Sequence, residues 1–167
     1  MIYLIRHGET TKGQKGNVPL NENGIMQAHA LGKDFARLGA SQIYSSDVLR
    51  ARQTTEIVLG YANLPVTYDE RLREFSGLLQ RGAADLDMLS QEDRLASSRD
   101  AYERAKSFIA ELRDNNVDNA AVMTHRGMIS TILYVLRFGE FDFEKFEANR
   151  KEFKKGAGNC SITEIKL

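Results

Sequence analysis

The chain has 167 residues, the size of one ordinary domain, and its 23 lysines and arginines are matched by 23 aspartates and glutamates. This balance excludes an overall field that would attract nucleic acid or an anionic membrane, so neither is an expected partner. The single cysteine excludes an internal disulfide, and the five-residue apolar stretch before Arg6 is too short for a signal peptide or a membrane span. We therefore expect a cytoplasmic protein.

The first half of the chain alternates predicted strands and helices. Residues 2–5 form an apolar run that is typical of a strand buried on both faces of a parallel sheet. Apolar side chains then recur at helical spacing from Glu22 to Leu38, and Gly39 is a stop signal. A short strand over residues 42–44 leads into Ser45-Ser46-Asp47, which can cap a second helix.

The second half continues the same alternation. A helix is predicted to begin at Ser97 to Asp100, because a buried stripe runs from Ala101 to Leu112. A strand over 120–123 leads into another amphipathic helix, and residues 160–165 alternate as in a strand near a sheet edge, with Cys160 as a small buried strand residue. The irregular residues 76–96 are interpreted as a lid.

This order of elements predicts the fold class α/β, as a three-layer α/β/α sandwich with a mostly parallel central sheet. We find no linker or internal repeat, so residues 1–167 are expected to form one domain, with a small lid-like excursion at about 76–96.

Three polar clusters each follow directly on a predicted strand. They are Arg6-His7-Gly8-Glu9-Thr10, Ser45-Ser46-Asp47 with Arg50, and Thr124-His125-Arg126-Gly127. Ligands of open α/β sheets bind outside the carboxyl ends of the strands, so the three clusters can converge there. A fourth segment, Leu72-Arg73-Glu74, lies in loop-like sequence that could close over the same crevice.

The side chains of these clusters suit phosphoryl transfer. A neutral His7 offers a lone pair that can form a covalent phospho-enzyme. Arg6 and Arg50 can hold phosphoryl oxygens through forked, charge-assisted hydrogen bonds, and His125 supplies a further donor. A carboxylic acid such as Glu74 can protonate the departing alcohol and later accept a proton from water.

These motifs, in this order, resemble the histidine phosphatase superfamily, also called the phosphoglycerate mutase-like group. The resemblance covers nearly the whole chain, in the segments 4–10, 19–28, 44–54, 71–77, 124–125 and 159–162. It implies that His7 is the nucleophile, that Glu74 is the proton donor and that His125 is the second catalytic histidine. It also implies that Arg6, Arg50 and His125 bind the substrate phosphate.

Two departures from the family pattern limit what is carried over. The loop over residues 11–17 is short, so a phosphate ligand from it is in doubt, and Arg126 stands where the family commonly has glycine. Lys12 and Lys15 are interpreted as solvated loop residues with a lesser possibility of substrate contact. Arg126 either points away from the crevice, the favoured alternative, or adds a positive charge to it.

The resulting expectation is a phosphatase that hydrolyses a small phosphate monoester, a phosphorylated metabolite, without a metal or another cofactor. The three histidines lack the spacing of a zinc site. A mutase of the same family and a non-catalytic module that binds phosphorylated ligands remain alternatives. The short loop and small excursion favour hydrolysis, because a mutase has to keep water from its phosphohistidine. The individual substrate and the oligomeric state stay open.

Overall fold

The computed structural model describes residues 1–11, 16–76, 86–154 and 158–167. The strands of these ranges are β1 (Ile2–Arg6), β2 (Gln42–Ser45), β3 (Val66–Tyr68), β4 (Ala120–Thr124) and β5 (Ile162–Ile165). The α-helices are α1 (Glu22–Phe35), α2 (Leu49–Leu59), α3 (Gln91–Asp114), α4 (Arg126–Phe138) and α5 (Phe143–Lys154). Short 3-10 helices cover Ala36–Leu38, Glu70–Leu72 and Leu86–Met88.

The strands form one sheet in the order β3-β2-β4-β1-β5. All neighbouring pairs are parallel except β1 with β5, which is antiparallel. The predicted mostly parallel sheet is thereby confirmed. Strand β3 was not predicted from the sequence, because three residues are too few to show an alternating pattern.

Helices cover both faces of the sheet. Strand β4 is fully buried and alternates between two cores: Ala121 and Met123 pack with residues of α1 and α2, whereas Ala120 and Val122 pack with residues of α3, α4 and α5. A strand with apolar side chains on both faces is stable only between two helical layers. The three-layer α/β/α arrangement is therefore confirmed.

Helix α3 begins earlier than the sequence predicted. Ser90 is its N-cap, with the hydroxyl accepting from the backbone N–H of Asp93 at 3.1 Å, so the predicted start at Ser97 to Asp100 is wrong. A serine hydroxyl at the N-cap and acidic residues in the first turn account for this start. Within the predicted lid, residues 77–85 lie outside the described ranges and residues 91–96 belong to α3.

Among the described helices, none combines the length and apolar character that a membrane span requires.

Cys160 lies before β5 and not in it. Its φ of 54° is in the left-handed region, so the predicted strand residue is a turn residue. Its backbone N–H donates to the carbonyl of Arg6 at 3.0 Å, which ties the turn to the end of β1. Burial raises the pKa of the Cys160 thiol to about 11, so the thiol is protonated near neutral pH and is a poor nucleophile.

Candidate active site

The sheet brings the predicted polar clusters to one edge. His7, Ser46 and His125 directly follow β1, β2 and β4, which are neighbours in the sheet and run parallel. The backbone N–H of His7 donates to the carbonyl of Thr124 at 3.0 Å, and the imidazole rings of His7 and His125 are 5.0 Å apart. The predicted convergence at the carboxyl ends of the strands is confirmed.

The hydrogen bonds of His7 determine its tautomer. Its Nδ1 lies 2.6 Å from the carbonyl oxygen of Gly8, and a carbonyl only accepts, so Nδ1 carries the proton. The Nε of Arg50 donates to Nε2 of His7 at 3.2 Å. Nε2 of His7 therefore has a lone pair, which faces the guanidinium of Arg50.

The surroundings of His7 keep the imidazole neutral. Its pKa is lowered to about 3, chiefly because the side chain is buried, and further because of the positive charges of Arg50, Arg6 and Arg126. The hydrogen bond to Gly8 opposes this shift only in part. At physiological pH the ring is thus neutral and its Nε2 has no proton, the form that a nitrogen nucleophile requires.

His125 is completely buried, and its Nε2 lies 2.9 Å from the hydroxyl of Ser46. Burial, followed by the charge of Arg50, lowers its pKa well below the ordinary value. Within the part of the chain that the structure describes, Nδ1 of His125 has no hydrogen-bond partner. The hydroxyl oxygen of Ser46 also accepts from the backbone N–H of Val48 at 3.4 Å, so the hydroxyl proton of Ser46 can be donated to Nε2 of His125. In that arrangement Nδ1 of His125 carries the ring proton and is a free donor.

Arginines make the site electropositive. Arg50 is 9% exposed, and its pKa is lowered by burial and raised by the nearby Glu74 carboxylate. The pKa of Arg6 is lowered by burial first and by the charge of Arg126 second, with Glu74 again acting in the opposite direction. Arg126 therefore lies close enough for its charge to act on both Arg6 and His7. Its place as the first residue of α4, directly after buried His125, accounts for this proximity.

Glu74 lies against the start of α4. The backbone N–H groups of Gly127 and Phe75 donate to its two carboxylate oxygens at 3.3 and 3.1 Å. A Cβ at position 127 would stand 2.1 Å from Oε1 of Glu74, so only glycine leaves room for the carboxylate.

An ion pair joins the loop after β2 to the segment that carries Glu74. Arg73, one residue before Glu74, donates through Nε and Nη2 to the two oxygens of Asp47 at 2.8 and 2.5 Å. Arg71 is bound in the same two-pronged way to Asp69 and also to Glu111. These bonds hold the segment before Glu74 to the loop after β2 and to α3.

Several residues that hold the His7 loop lie in the segments of family resemblance, where the sequence assigns them no role. The hydroxyl of Thr54 accepts from the backbone N–H of Gly8 at 3.0 Å, and Gln27 accepts from that of Glu9 at 2.9 Å. Asn159 donates to the carbonyl of His7 at 3.1 Å. These acceptors and donors come from α2, α1 and the turn before β5, so only the folded chain reveals what they bind.

Asn17 supplies the cap of α2 from a distance. Its side-chain oxygen accepts from the backbone N–H of Leu49 at 2.7 Å, and Nη1 of Arg50 donates to the carbonyl of Gly16 at 3.3 Å. Val48 is the N-cap and provides no side-chain hydrogen bond, so the predicted capping by residues 45–47 is wrong. The sequence gives no signal for a cap 32 residues away. Lys12 and Lys15 lie outside the described residues.

Within the described ranges, no group of three or more histidine, cysteine, aspartate or glutamate side chains could hold a metal ion. The positive charge around His7 comes from guanidinium groups. A site of this kind suits a phosphate dianion.

Comparison with known proteins agrees with this geometry. A protein of Salmonella paratyphi C named "Probable phosphoglycerate mutase GpmB" is 36% identical over 100 residues, covering 55% of this chain and 45% of that relative. The match thus spans less than half the relative's length. The native structure of a mycobacterial glucosyl-3-phosphoglycerate phosphatase is 25% identical, with a TM-score of 0.71 over 96% of this chain and 87% of that one.

A phosphoglycerate mutase from Bacillus anthracis shares the fold, with a TM-score of 0.67, 23% identity and coverage of 97% of this chain and 85% of the other. A model of the histidine phosphatase superfamily (branch 1) matches residues 2–167. Because that match spans the segments that bring His7, Arg50 and His125 together, the chain belongs to branch 1 of the histidine phosphatase superfamily.

Proposed function

We propose that the protein hydrolyses a small phosphate monoester through transient phosphorylation of Nε2 of His7. The observation that carries this proposal is the neutral tautomer of His7, with its lone pair on Nε2 next to Arg50 and its ring 5.0 Å from that of His125. A buried, neutral imidazole beside arginines is suited to attack a phosphorus centre whose oxygens are held by cations.

Arg6, Arg50 and His125 are assigned to the phosphoryl oxygens. Arg50 currently donates to Nε2 of His7, and a bound phosphoryl group would take over this donor while leaving Nε2 free to attack. The unpartnered Nδ1 of buried His125 supports an anion ligand, because a buried polar atom without a partner costs about 1–3 kcal/mol. Binding a phosphoryl oxygen would remove that cost.

Glu74 is assigned to proton transfer. In the first step the Nε2–P bond forms, the P–O bond to the alcohol breaks, and protonated Glu74 gives its proton to the alcohol oxygen. In the second step water attacks phosphorus, the N–P bond breaks, and Glu74 takes the proton from water. The products are the alcohol and inorganic phosphate, and His7 and Glu74 return to their starting states.

The alcohol part of the substrate is assigned to the groove beside Glu74. This open groove has a volume of about 400 Å³ and is lined by Glu70, Arg71, Arg73, Ser76, Asp100 and Arg104 together with Glu74. Charged groups of both signs favour a small polar alcohol over an apolar one.

The direct test is to trap the phospho-enzyme. Wild-type protein given a labelled monoester and quenched in alkali should retain base-stable, acid-labile label on His7, and His7→Asn should retain none. His29→Asn is the matched control, because His29 is an exposed histidine on α1 that contacts Tyr61. An active His7→Asn variant would show that another group is the nucleophile. Binding of phosphate esters without turnover would instead indicate the non-catalytic module.

Independence of metal ions is tested separately. Hydrolysis should be unchanged by a chelator, since arginines and histidines stand where a metallohydrolase places its cations. Complete loss of activity with EDTA, restored by Mg²⁺ or Zn²⁺, would contradict the proposal.

Phosphoglycerate mutase activity is the second candidate, favoured by the name of the Salmonella relative. The two activities are separated by offering 3-phosphoglycerate with catalytic bisphosphoglycerate and measuring isomerisation and phosphate release together. We expect phosphate release from some monoester of a metabolite panel to exceed isomerisation. Isomerisation faster than every hydrolysis rate in the panel would identify a mutase and leave the role of His7 intact.

A further inference from the structure

Arg104 on α3 binds the backbone on both sides of the proposed proton donor. Its Nη1 donates to the carbonyl oxygens of Arg71 and Arg73 at 2.9 and 2.8 Å, and its Nη2 donates to the carbonyl of Glu74 at 3.3 Å. Asp100, one turn earlier on α3, holds the same guanidinium at 3.0 Å. The side chain is only 18% exposed, so these bonds are largely shielded from water.

The bonded segment has little regular structure of its own. The 3-10 helix Glu70–Leu72 ends within this segment, and Arg73 has extended backbone angles. Carbonyl oxygens beyond a helix end need partners from elsewhere. One planar guanidinium satisfies three of them, which fixes the path of the backbone that carries the Glu74 side chain.

We propose that Arg104 is a positioning residue that sets the place of the Glu74 carboxyl group for proton transfer to the leaving alcohol. The inference rests on the proposed function, in which Glu74 is the general acid. Arg104 acts on the backbone of Glu74, while Gly127 binds its carboxylate, so the residue is held from both ends. Lysine cannot replace Arg104, because a single ammonium lacks the rigid fork that reaches several carbonyls at once.

Leaving-group dependence of kcat is a readout that a merely structural role would not move. Arg104 also lines the groove assigned to the alcohol, so the double variant with Glu74→Gln separates lost proton transfer from lost contact with the alcohol. Phosphate esters of p-nitrophenol lose a stable phenolate and need little proton donation, whereas alkyl phosphates such as glycerol phosphate need it fully. We expect Arg104→Lys to lower kcat on the alkyl ester by roughly 10-fold to 100-fold, within the range of general acid catalysis. On p-nitrophenyl phosphate the same variant should lose at most about threefold.

Arg99→Lys is the matched control, because Arg99 is an exposed arginine on the same helix whose charge lies 4.6 Å from the ring of Phe141. It should leave both rates unchanged. If Arg104→Lys fails to fold, Arg104→Gln, which is neutral and shorter but keeps an amide donor, should show the same selective loss. An equal loss on both esters by either variant would overturn the positioning role.

Glu74→Gln, measured in parallel, separates this inference from the proposed function. A selective loss on the alkyl ester with Glu74→Gln but not with the Arg104 variants would overturn the positioning role alone. If Glu74→Gln shows no selective loss, the assignment of Glu74 as general acid fails. In the double variant, Arg104→Lys should add no further selective loss, because both changes remove the same proton transfer.

Discussion

Gly127→Ala provides a sharp test of the packing around the proposed proton donor. The added methyl carbon would lie 2.1 Å from Oε1 of Glu74 and 2.3 and 2.8 Å from two ring carbons of Phe75. The carboxylate ends a flexible side chain and can move away. The ring of Phe75 is 3% exposed and packs against Phe146, so it has nowhere to go without disturbing the core.

Two opposing contributions set the change in stability. Alanine is favoured over glycine in a helix by up to about 1 kcal/mol, which would stabilise α4. Overpacking of a well-filled core costs about 1–3 kcal/mol. We expect the overlap with Phe75 to win, with a net destabilisation of about 1–2 kcal/mol and a Tm lower by roughly 3–6 °C for a chain of this size.

The activity should fall further than the stability indicates. Oε1 of Glu74 has to move by at least about 1 Å to escape the methyl group, and a misplacement of that size costs about 100-fold. The assay is kcat/KM on an alkyl phosphate at a temperature well below the Tm, together with thermal unfolding. Gly158→Ala is the control, since a Cβ there meets nothing within 4 Å. A Gly127→Ala variant with higher Tm and unchanged kcat/KM would refute the reasoning.

Three further changes test the surroundings of His7. In the unfolded chain His7 binds a proton below about pH 6.5, whereas in the native protein its pKa is lowered to about 3. Because only the unfolded state gains this proton between pH 7 and pH 5, the wild-type free energy of unfolding should fall by about 2 kcal/mol over that interval on account of His7. Urea unfolding at pH 7 and pH 5 should show that the free energy of unfolding falls less in His7→Asn than in the wild type, by the same amount. An identical fall in the two proteins would contradict the lowered pKa of His7. Thr54→Val leaves the backbone N–H of Gly8 without its acceptor and should cost about 1–3 kcal/mol by the same method, whereas an unchanged free energy would show that the bond is dispensable. Asn17→Ala removes the cap of α2 and should cost about 1 kcal/mol, with Asn17→Asp retaining most of the stability; equal losses in the two variants would argue against capping.

Much of the helical architecture was predictable because local patterns coincide with tertiary burial. The stripe from Ala101 to Leu112 on α3 is buried as its spacing predicted. Helix α1 departs from its pattern in one place. Ala28, Leu31 and Phe35 are buried, but Ile25, which shares their helical spacing, is 41% exposed. Ile25 lines an open groove with Gln53, Glu56 and Ile57 of α2, and periodicity does not report how closely a neighbouring helix packs.

The sequence by itself determined the alternation of strands and helices, and with it the edge of the sheet at which His7, Ser46 and His125 meet. It did so because parallel strands connected through helices present their carboxyl ends together. Only the tertiary structure decided the tautomer of His7, the proximity of Arg126 and the hold of Arg104 on the Glu74 segment. The reason is physical: hydrogen bonds and charges act over a few ångströms, and the groups involved stand tens of residues apart in the chain.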